Sequence, residues 1–281
     1  MQRKLKRLHF VGIGGIGMAA LAELLHAQGF EISGSDLGSG PTIERLRSLG
    51  VTIVLGHDPA SVGRAQVVVR SSAIPYGNPE LEVARQQGLP IVSRGELLAE
   101  VMRTRNGIAI AGSHGKTTTS AMVAHLLEVA DLDPTALIGG RVPRPDGSAS
   151  PVRLGGDDLL VAEVDESDGS FLSSRPVWAV VTNADPEHLD YYGTREALLD
   201  AFARFANLVP FWGAAILGID HPGVQEILPS VTARCVTFGF AEEADLRIES
   251  ITAVEHGQRF HARLPEGKRF DFEIPLPGRH N

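Results

Sequence analysis

Ile108-Ala109-Ile110-Ala111-Gly112-Ser113-His114-Gly115-Lys116-Thr117-Thr118 decides the fold. The apolar run Ile108–Ala111 reads as a buried strand, and Thr117–Ala130 reads as a helix. Between them lies a glycine loop ending in Gly-Lys-Thr. Main-chain N–H groups of such a turn cradle phosphates, the lysine reaches the terminal ones, and the threonine hydroxyl can sit on Mg²⁺. Ile110 stands where the usual G-x-x-x-x-G-K-[ST] pattern has its first glycine, and Gly112 comes two residues late. The spacing departs from the pattern, but the strand–loop–helix context is kept.

Upstream, short apolar runs alternate with helical patterns. Strands are expected at Leu8–Ile13, Phe30–Ser33, Val51–Leu55 and Val67–Arg70, with Pro90–Ser93 extended. Helices are expected at Ile16–Gln28, Thr42–Leu49, Pro79–Gln87 and Glu96–Met102, three of them stopped by Gly29, Gly50 and Gly88. This alternation predicts a parallel sheet covered on both faces. The polar run Arg103-Thr104-Arg105-Asn106-Gly107 reads as a boundary, which divides the chain into residues 1–105 and 106–281. Downstream, Leu159–Val164 and Val177–Thr182 read as buried strands and Thr194–Leu208 as a helix. Arg141–Asp158, rich in Pro, Gly, Ser and Asp, reads as a long surface loop, and Ala244–Ile274 as β-ribbons.

A second glycine loop, Gly12-Ile13-Gly14-Gly15-Ile16-Gly17, carries G-x-G-x-x-G between a strand and a helix. Glycines there allow a tight turn and let main-chain amides approach a diphosphate at the helix N-terminus. Asp36 ends the next strand, where an acidic residue commonly meets a ribose hydroxyl. An NAD-type cofactor and a UDP-linked substrate both remain open at this point.

Two further clusters fall at the ends of buried strands, the edge at which open α/β sheets bind ligands. Glu163, Asp165, Glu166 and Asp168 follow one strand, and Glu163 is a candidate Mg²⁺ ligand, since Mg²⁺ prefers carboxylates and substrate phosphates. Asn183-Ala184-Asp185-Pro186-Glu187-His188-Leu189-Asp190 follows another. His188 stands out there beside three carboxylates.

Composition narrows the classes. At 281 residues, and about 150 per domain, two domains are expected. One cysteine excludes a disulfide framework or a cysteine-built metal site and fits a reducing, cytoplasmic compartment. A net charge of −8 argues against a broad nucleic-acid footprint. Arg3, Lys4, Lys6 and Arg7 precede the apolar stretch Leu8–Leu25 in the manner of a leader peptide, but four glycines and Glu23 interrupt it. No run of about 18 apolar residues suits a membrane span.

The motifs together resemble the Mur ligase family, whose members add amino acids to a UDP-linked muramic acid during peptidoglycan synthesis. The resemblance runs from HFVGIGGIGM (His9–Met18) through SGSDL (Ser33–Leu37), SSAI (Ser71–Ile74) and GELLAEVM (Gly95–Met102). It continues through AGSHGKTTT (Ala111–Thr119), AEVDESDGSF (Ala162–Phe171) and NADPEHLD (Asn183–Asp190) to the terminal PGRHN (Pro277–Asn281). The family's shortened loop, G-[ST]-x-G-K-[ST], accounts for the late Gly112. Within the family, the alanine-adding branch is the nearest, and a tripeptide-adding recycling ligase is a near relative.

The resemblance implies a Rossmann-like parallel-sheet domain that binds UDP-N-acetylmuramate, followed by a P-loop α/β domain that binds ATP. Gly14, Gly15, Ile16 and Gly17 would hold the UDP diphosphate, with Ser35, Asp36, His57, Ser71 and Ser72 nearby. Gly112, Ser113, His114, Gly115, Lys116, Thr117 and Thr118 would hold ATP phosphates, and His280 and Asn281 would lie near the adenine. Thr117 and Glu163 would bind one Mg²⁺ and His188 a second, while Lys116, Asn183 and His188 would line the reaction centre. The implied partners are small molecules: UDP-N-acetylmuramate, ATP and L-alanine. No carbamylated lysine is expected. Family members carry a third, amino-acid-binding domain, so a chain ending at Asn281 is expected to be a fragment with its central domain incomplete and unable by itself to complete ligation. A nicotinamide-dependent oxidoreductase would leave the second loop, Glu163 and His188 unexplained. A non-catalytic nucleotide-binding protein is the other alternative.

Overall fold

A computed structural model of the chain describes residues 5–143 and 149–281. Arg3 and Lys4 of the basic start, and 144–148 of the expected loop, lie outside the described residues. The strands are β1 (Arg7–Val11), β2 (Glu31–Asp36), β3 (Thr52–Leu55), β4 (Val67–Arg70), β5 (Ile91–Ser93), β6 (Asn106–Ala111), β7 (Thr135–Pro143), β8 (Ala149–Arg153), β9 (Leu159–Glu163), β10 (Trp178–Val181), β11 (Ala214–Gly218), β12 (Cys235–Gly239), β13 (Leu246–Val254), β14 (Gly257–Arg263) and β15 (Arg269–Ile274). The α-helices are α1 (Ile16–Ala27), α2 (Pro41–Ser48), α3 (Pro79–Gln86), α4 (Arg94–Met102), α5 (Lys116–Val129), α6 (Leu189–Tyr192), α7 (Arg195–Ala206) and α8 (Pro222–Ile227). Contacts group the chain into two compact units, one of residues 1–107 with 120–175, the other of 108–119 with 176–281.

The first unit holds a five-stranded sheet in the order β3-β2-β1-β4-β5, every pairing parallel. Strand order reverses on either side of β1, so the turn leaving β1 opens at a topological switch point, where open sheets bind ligands. Gly34 lets β2 pass close to that turn. A Cβ there would stand 2.7 Å from the Phe10 carbonyl and from the Ile13 side chain.

Helix α1 is buried on nearly every side, from Met18 to Leu25. Such a helix must be covered on more than one face, and α1 packs on β2, α2 and α4 and also on β7 and β8. Burying Leu21, Leu24 and Leu25 contributes roughly 1.5–3 kcal/mol each. Glu23, 5% exposed, is held by the Arg45 guanidinium through Nε at 2.8 Å and Nη2 at 2.5 Å.

The β7–β8 pair corrects the expectation of a loop over Arg141–Asp158. β7 runs to Pro143 and β8 pairs with it antiparallel, while β9 pairs with β7 in parallel. Proline and glycine suggest a loop, but β8 ends the strand order, and an edge strand tolerates Pro151. Val152 is buried there.

In the second unit the strand order is β15-β14-β13-β12-β11-β10-β6. The pairs from β6 to β13 are parallel, and β13, β14 and β15 form the expected antiparallel ribbon. β11, α8 and β12 were not anticipated: each element is short, five or six residues, and α8 has no continuous apolar run. Phe202 and Phe205 of α7 are fully buried, and α7 packs on β10.

One carboxylate in the first unit has no exposure to solvent. Glu80, in the first turn of α3, accepts from Ser35 Oγ at 2.5 Å, from Ser61 Oγ, and from His57 Nδ1 at 3.3 Å. His9 Nε2 lies 3.8 Å away, beyond hydrogen-bond range but within reach of its charge. Burial by itself raises a carboxyl's pKa, but His9, Ser35 and Ser61 outweigh it and lower that of Glu80 from 4.5 to about 2. A depressed folded-state pKa stabilises the fold above the unfolded value and loses that contribution as pH falls. For Glu80→Gln we expect a drop in urea midpoint that is largest at pH 7 and narrows between pH 4.5 and 2. A gap that stays constant down to pH 2 would contradict this account of Glu80.

Candidate functional site

The glycine loop of the first unit is tied to the end of β2. Gly12, at φ +80°, and Ile13 both donate their amides to the Ser35 carbonyl, at 2.9 and 3.0 Å. Asp36 Oδ2 accepts from the Gly14 amide at 2.8 Å and Oδ1 from the Gly38 amide at 3.0 Å. The carboxylate expected near a ribose therefore also fastens the loop, and the Gly14 amide expected to face a diphosphate is engaged by it. A side chain at Gly14 would run into Asp36.

Beyond Gly14 the loop opens into α1. Gly15 is its N-cap, without a side-chain cap, and the first turn has no acidic residue. A helix start of this kind attracts anions. Arg94 adds a cation: its Cδ and Nη1 stand 3.1 Å from the place a Cβ on Gly17 would take. Arg94 Nη2 also bonds Asp165 Oδ2 at 3.2 Å. Gly95 permits this, because α4 lies close against Ser170 in the segment that follows Asp165.

Ser71 lies beside Gly12, with its Cβ 3.1 Å from where a Gly12 Cβ would stand. Ser72 follows, exposed. His57, just past β3, bonds Ser35 Oγ through Nδ1 at 3.1 Å. Gly12, Gly14, Gly17, Ser35, Asp36, His57 and Ser71 thus share the edge at which β1, β2, β3 and β4 end. Ile16 is exposed at the start of α1.

In the second unit, Gly112 has φ +135°, and a Cβ there would collide with Thr182 Oγ1. Gly115 also has positive φ, +80°. Lys116 Nζ donates to the Gly112 carbonyl at 2.7 Å, so its ammonium lies over the loop. The neighbouring strand end clamps the loop. Asn183 Oδ1 accepts from the His114 amide at 2.8 Å, and Asn183 Nδ2 donates to the His114 carbonyl at 2.9 Å. Ser113 Oγ donates to the Asp185 carbonyl at 3.1 Å and accepts from the Asp185 amide at 2.9 Å. Thr117 and Thr118 are exposed at the start of α5.

Asp185 is itself held. His221 Nδ1 accepts from the Ala184 and Gly223 amides at 3.3 and 3.2 Å, so Nε2 carries the hydrogen that reaches Asp185 Oδ1 at 3.1 Å. His114 Nε2 lies 3.5 Å from Asp185 and 3.4 Å from Glu187. His188 takes a left-handed backbone, φ +55°, as N-cap of α6. Non-glycine residues hold that conformation at a cost, and such positions cluster at functional sites.

Glu163 ends β9 in the first unit, where Oε2 accepts from the Gly139 amide at 2.9 Å. Gly139 has no room for a Cβ, which would stand 2.5 Å from Glu163 Oε1. Among the described residues, no group of three or more His, Cys, Asp or Glu is arranged to hold a metal. A threonine hydroxyl and a carboxylate are hard oxygen donors of the kind Mg²⁺ takes alongside phosphates, whereas an imidazole is a less usual ligand for it. His280 and Asn281 lie in a turn after β15. Asn281 donates its amide to Gly278 at 3.1 Å and its Nδ2 to Pro277 at 2.7 Å.

Arg94, Glu80 and His221 were not singled out from the sequence. Arg94 carried a legible signal: a cation opens α4 inside the Ser93–Glu96 capping box, where the helix dipole disfavours positive charge. Glu80 reads as an ordinary helix start beside Pro79, and His221 caps α8, a helix that was not anticipated.

Two family descriptions match the chain: the Mur ligase family catalytic domain over residues 7–106 and the Mur ligase middle domain over 110–281. A UDP-N-acetylmuramate–L-alanine ligase from Sorangium cellulosum is 50% identical over 278 residues, covering 99% of this chain. One from Rhizorhabdus wittichii is 48% identical over 280 residues, covering 98% of it. The chain spans about 59% of the length of each of these relatives. Among solved structures, a UDP-N-acetylmuramate:L-alanyl-γ-D-glutamyl-meso-diaminopimelate ligase from Neisseria meningitides superposes with a TM-score of 0.86 at 30% identity, over 98% of this chain and 89% of that one. The UDP-N-acetylmuramate–alanine ligase of Thermotoga maritima gives 0.82 at 27%, over 98% and 61%. With both descriptions matched almost end to end and both nucleotide-type loops in place, this chain belongs to the Mur ligase family.

Proposed function

We propose that the chain is the UDP-sugar-binding and ATP-binding part of a cytoplasmic ligase that joins L-alanine to the carboxylate of UDP-N-acetylmuramate in peptidoglycan synthesis. The presence of two phosphate-type strand–helix turns in one chain carries the reading. An NAD-type enzyme would need only the first. Half-identity to alanine-adding ligases supports L-alanine as the amino acid, whereas the similarity to the tripeptide-adding enzyme from Neisseria meningitides supports the recycling reaction as the second reading. We place the functional division at residues 105 and 106, with the UDP end before it and the ATP end after it.

In this reading the muramate carboxylate attacks the γ-phosphorus of ATP, giving an acyl phosphate and ADP. The alanine amine then attacks the acyl carbon and phosphate leaves. Gly15, Ile16 and Gly17 at the start of α1, with Arg94, hold the UDP diphosphate, while Gly14 and Asp36 keep the loop in shape. Ser35, His57, Ser71 and Ser72 line the rest of that site. Ser113, His114 and Gly115 present main-chain amides to ATP phosphates, and Lys116 places its ammonium on the β- and γ-phosphates. Asn183 holds the loop's register. Thr117 and Glu163 would hold one Mg²⁺ and His188 a second, and these ions would neutralise charge on the transferring phosphoryl group. His280 and Asn281 would border the adenine.

Calorimetric titration of this chain with UDP-N-acetylmuramate, with NADPH as control, tests the reading. Saturable binding of the UDP-sugar without NADPH binding is the expected result, and NADPH binding alone would overturn it. Lys116→Ala should weaken ATP binding by about tenfold or more and leave UDP-N-acetylmuramate binding intact. Arg94→Ala should do the reverse, weakening the UDP-sugar about tenfold and sparing ATP. If each variant weakened both ligands equally, the two loops would not be separate nucleotide sites.

A further inference from the structure

The contacts around Glu80 settle where the hydrogen on His57 must sit. An ionised carboxylate only accepts hydrogen bonds, and a serine hydroxyl has one hydrogen to give. Ser35 spends that hydrogen on Glu80 Oε2, at 2.5 Å. His57 Nδ1 therefore faces two acceptors, Ser35 Oγ at 3.1 Å and Glu80 Oε2 at 3.3 Å, and must carry the hydrogen. In the neutral ring this leaves Nε2 with a lone pair, able to accept but not to donate. The His57 side chain is 12% exposed and that of Glu80 not at all, so water does not compete for the buried bond. Asn78, the N-cap of α3, fixes Glu80 by accepting its amide at 2.9 Å. His57 stands next to the glycine loop, because Ser35, its partner, also receives the Gly12 and Ile13 amides.

We propose that Glu80 is a positioning residue of the nucleotide site, which holds His57 with Nδ1 protonated so that Nε2 accepts a hydrogen bond from a neutral N–H or O–H of a uridine nucleotide. The inference rests on the reading of the first loop as a UDP site. A lone pair at Nε2 repels phosphate oxygens, so His57 serves the nucleoside end of the ligand and leaves the diphosphate to Arg94 and α1. Two nucleoside groups supply the required donor: the imide N–H of the uracil and a ribose hydroxyl.

The test combines nitrogen-detected NMR of the ligand-free chain with calorimetry using UDP, 3-methyl-UDP, 2′-deoxy-UDP and 3′-deoxy-UDP. In the wild type His57 is expected to show hydrogen on Nδ1. Glu80→Gln, whose amide can turn an N–H toward the ring, should shift the hydrogen to Nε2 and weaken UDP about tenfold, with ATP binding unchanged. The analogue lacking the group that His57 reads should lose this penalty, and so identify base or ribose. His57→Asn supplies an independent check if Glu80→Gln fails to fold. Its NH2 can still donate toward Glu80, but the shorter side chain leaves no acceptor at the position of Nε2, so it should also bind UDP about tenfold more weakly. Hydrogen on Nε2 in a wild type that binds UDP would overturn the proposal alone, as would full UDP affinity in a folded His57→Asn. A wild type that binds no UDP would overturn the UDP-site reading itself, together with the ligand half of this proposal.

Discussion

A parallel strand that turns directly into a helix must reverse its backbone within a few residues, and both candidate sites depend on that constraint. At β1 the reversal needs a positive φ at Gly12, and at β6 it needs φ +135° at Gly112. Neither place has room for a side chain: Ser71 and Ile74 crowd Gly12, and Thr182 crowds Gly112. Tight turns of this kind bring helix-start amides to the C-terminal edge of a sheet, and partial positive charge collects there. The residues that follow the neighbouring strands are then drawn in as clamps. Asp36 serves the first loop in this way, Asn183 and Asp185 the second.

The two loops reach similar ends through different electrostatics. The first is backed by a buried carboxylate, Glu80, which would be costly without partners and accepts hydrogen bonds from groups of β2, the turn after β3 and the short helix at Pro59–Val62. Its cation, Arg94, arrives from α4. The second carries its cation on the loop, as Lys116, and is surrounded by half-exposed acids and histidines. In the first unit, burial holds a hydrogen-bond geometry rigid. In the second, acids and histidines stay partly open to solvent around the loop.

Much of the fold was legible because long apolar patterns repeat at helix and strand periods. α1, α3, α5 and α7 start and stop within about two residues of where periodicity and caps place them. The five parallel strands of the first sheet follow from the same alternation. β7, β8, β11, β12, α6 and α8 were missed; all but β7 are only four to six residues long and are made regular by their neighbours, not by their own pattern. Pro151 suggests a loop, and the edge position of β8 explains how a strand tolerates it.

The sequence by itself determined the local chemistry: two glycine turns, a lysine and threonine after one of them, acids and a histidine after later strands, and the order in which they occur. Those features depend on residue type and short spacing, which a linear chain carries in full. Only the tertiary structure decided which groups those turns meet. Arg94 lies 77 residues from Gly17, Glu80 lies 45 residues from Ser35, and His221 lies 36 from Asp185. Partners so far apart are brought together by strand order and helix packing, which depend on the burial of the whole unit and leave no mark at either residue alone.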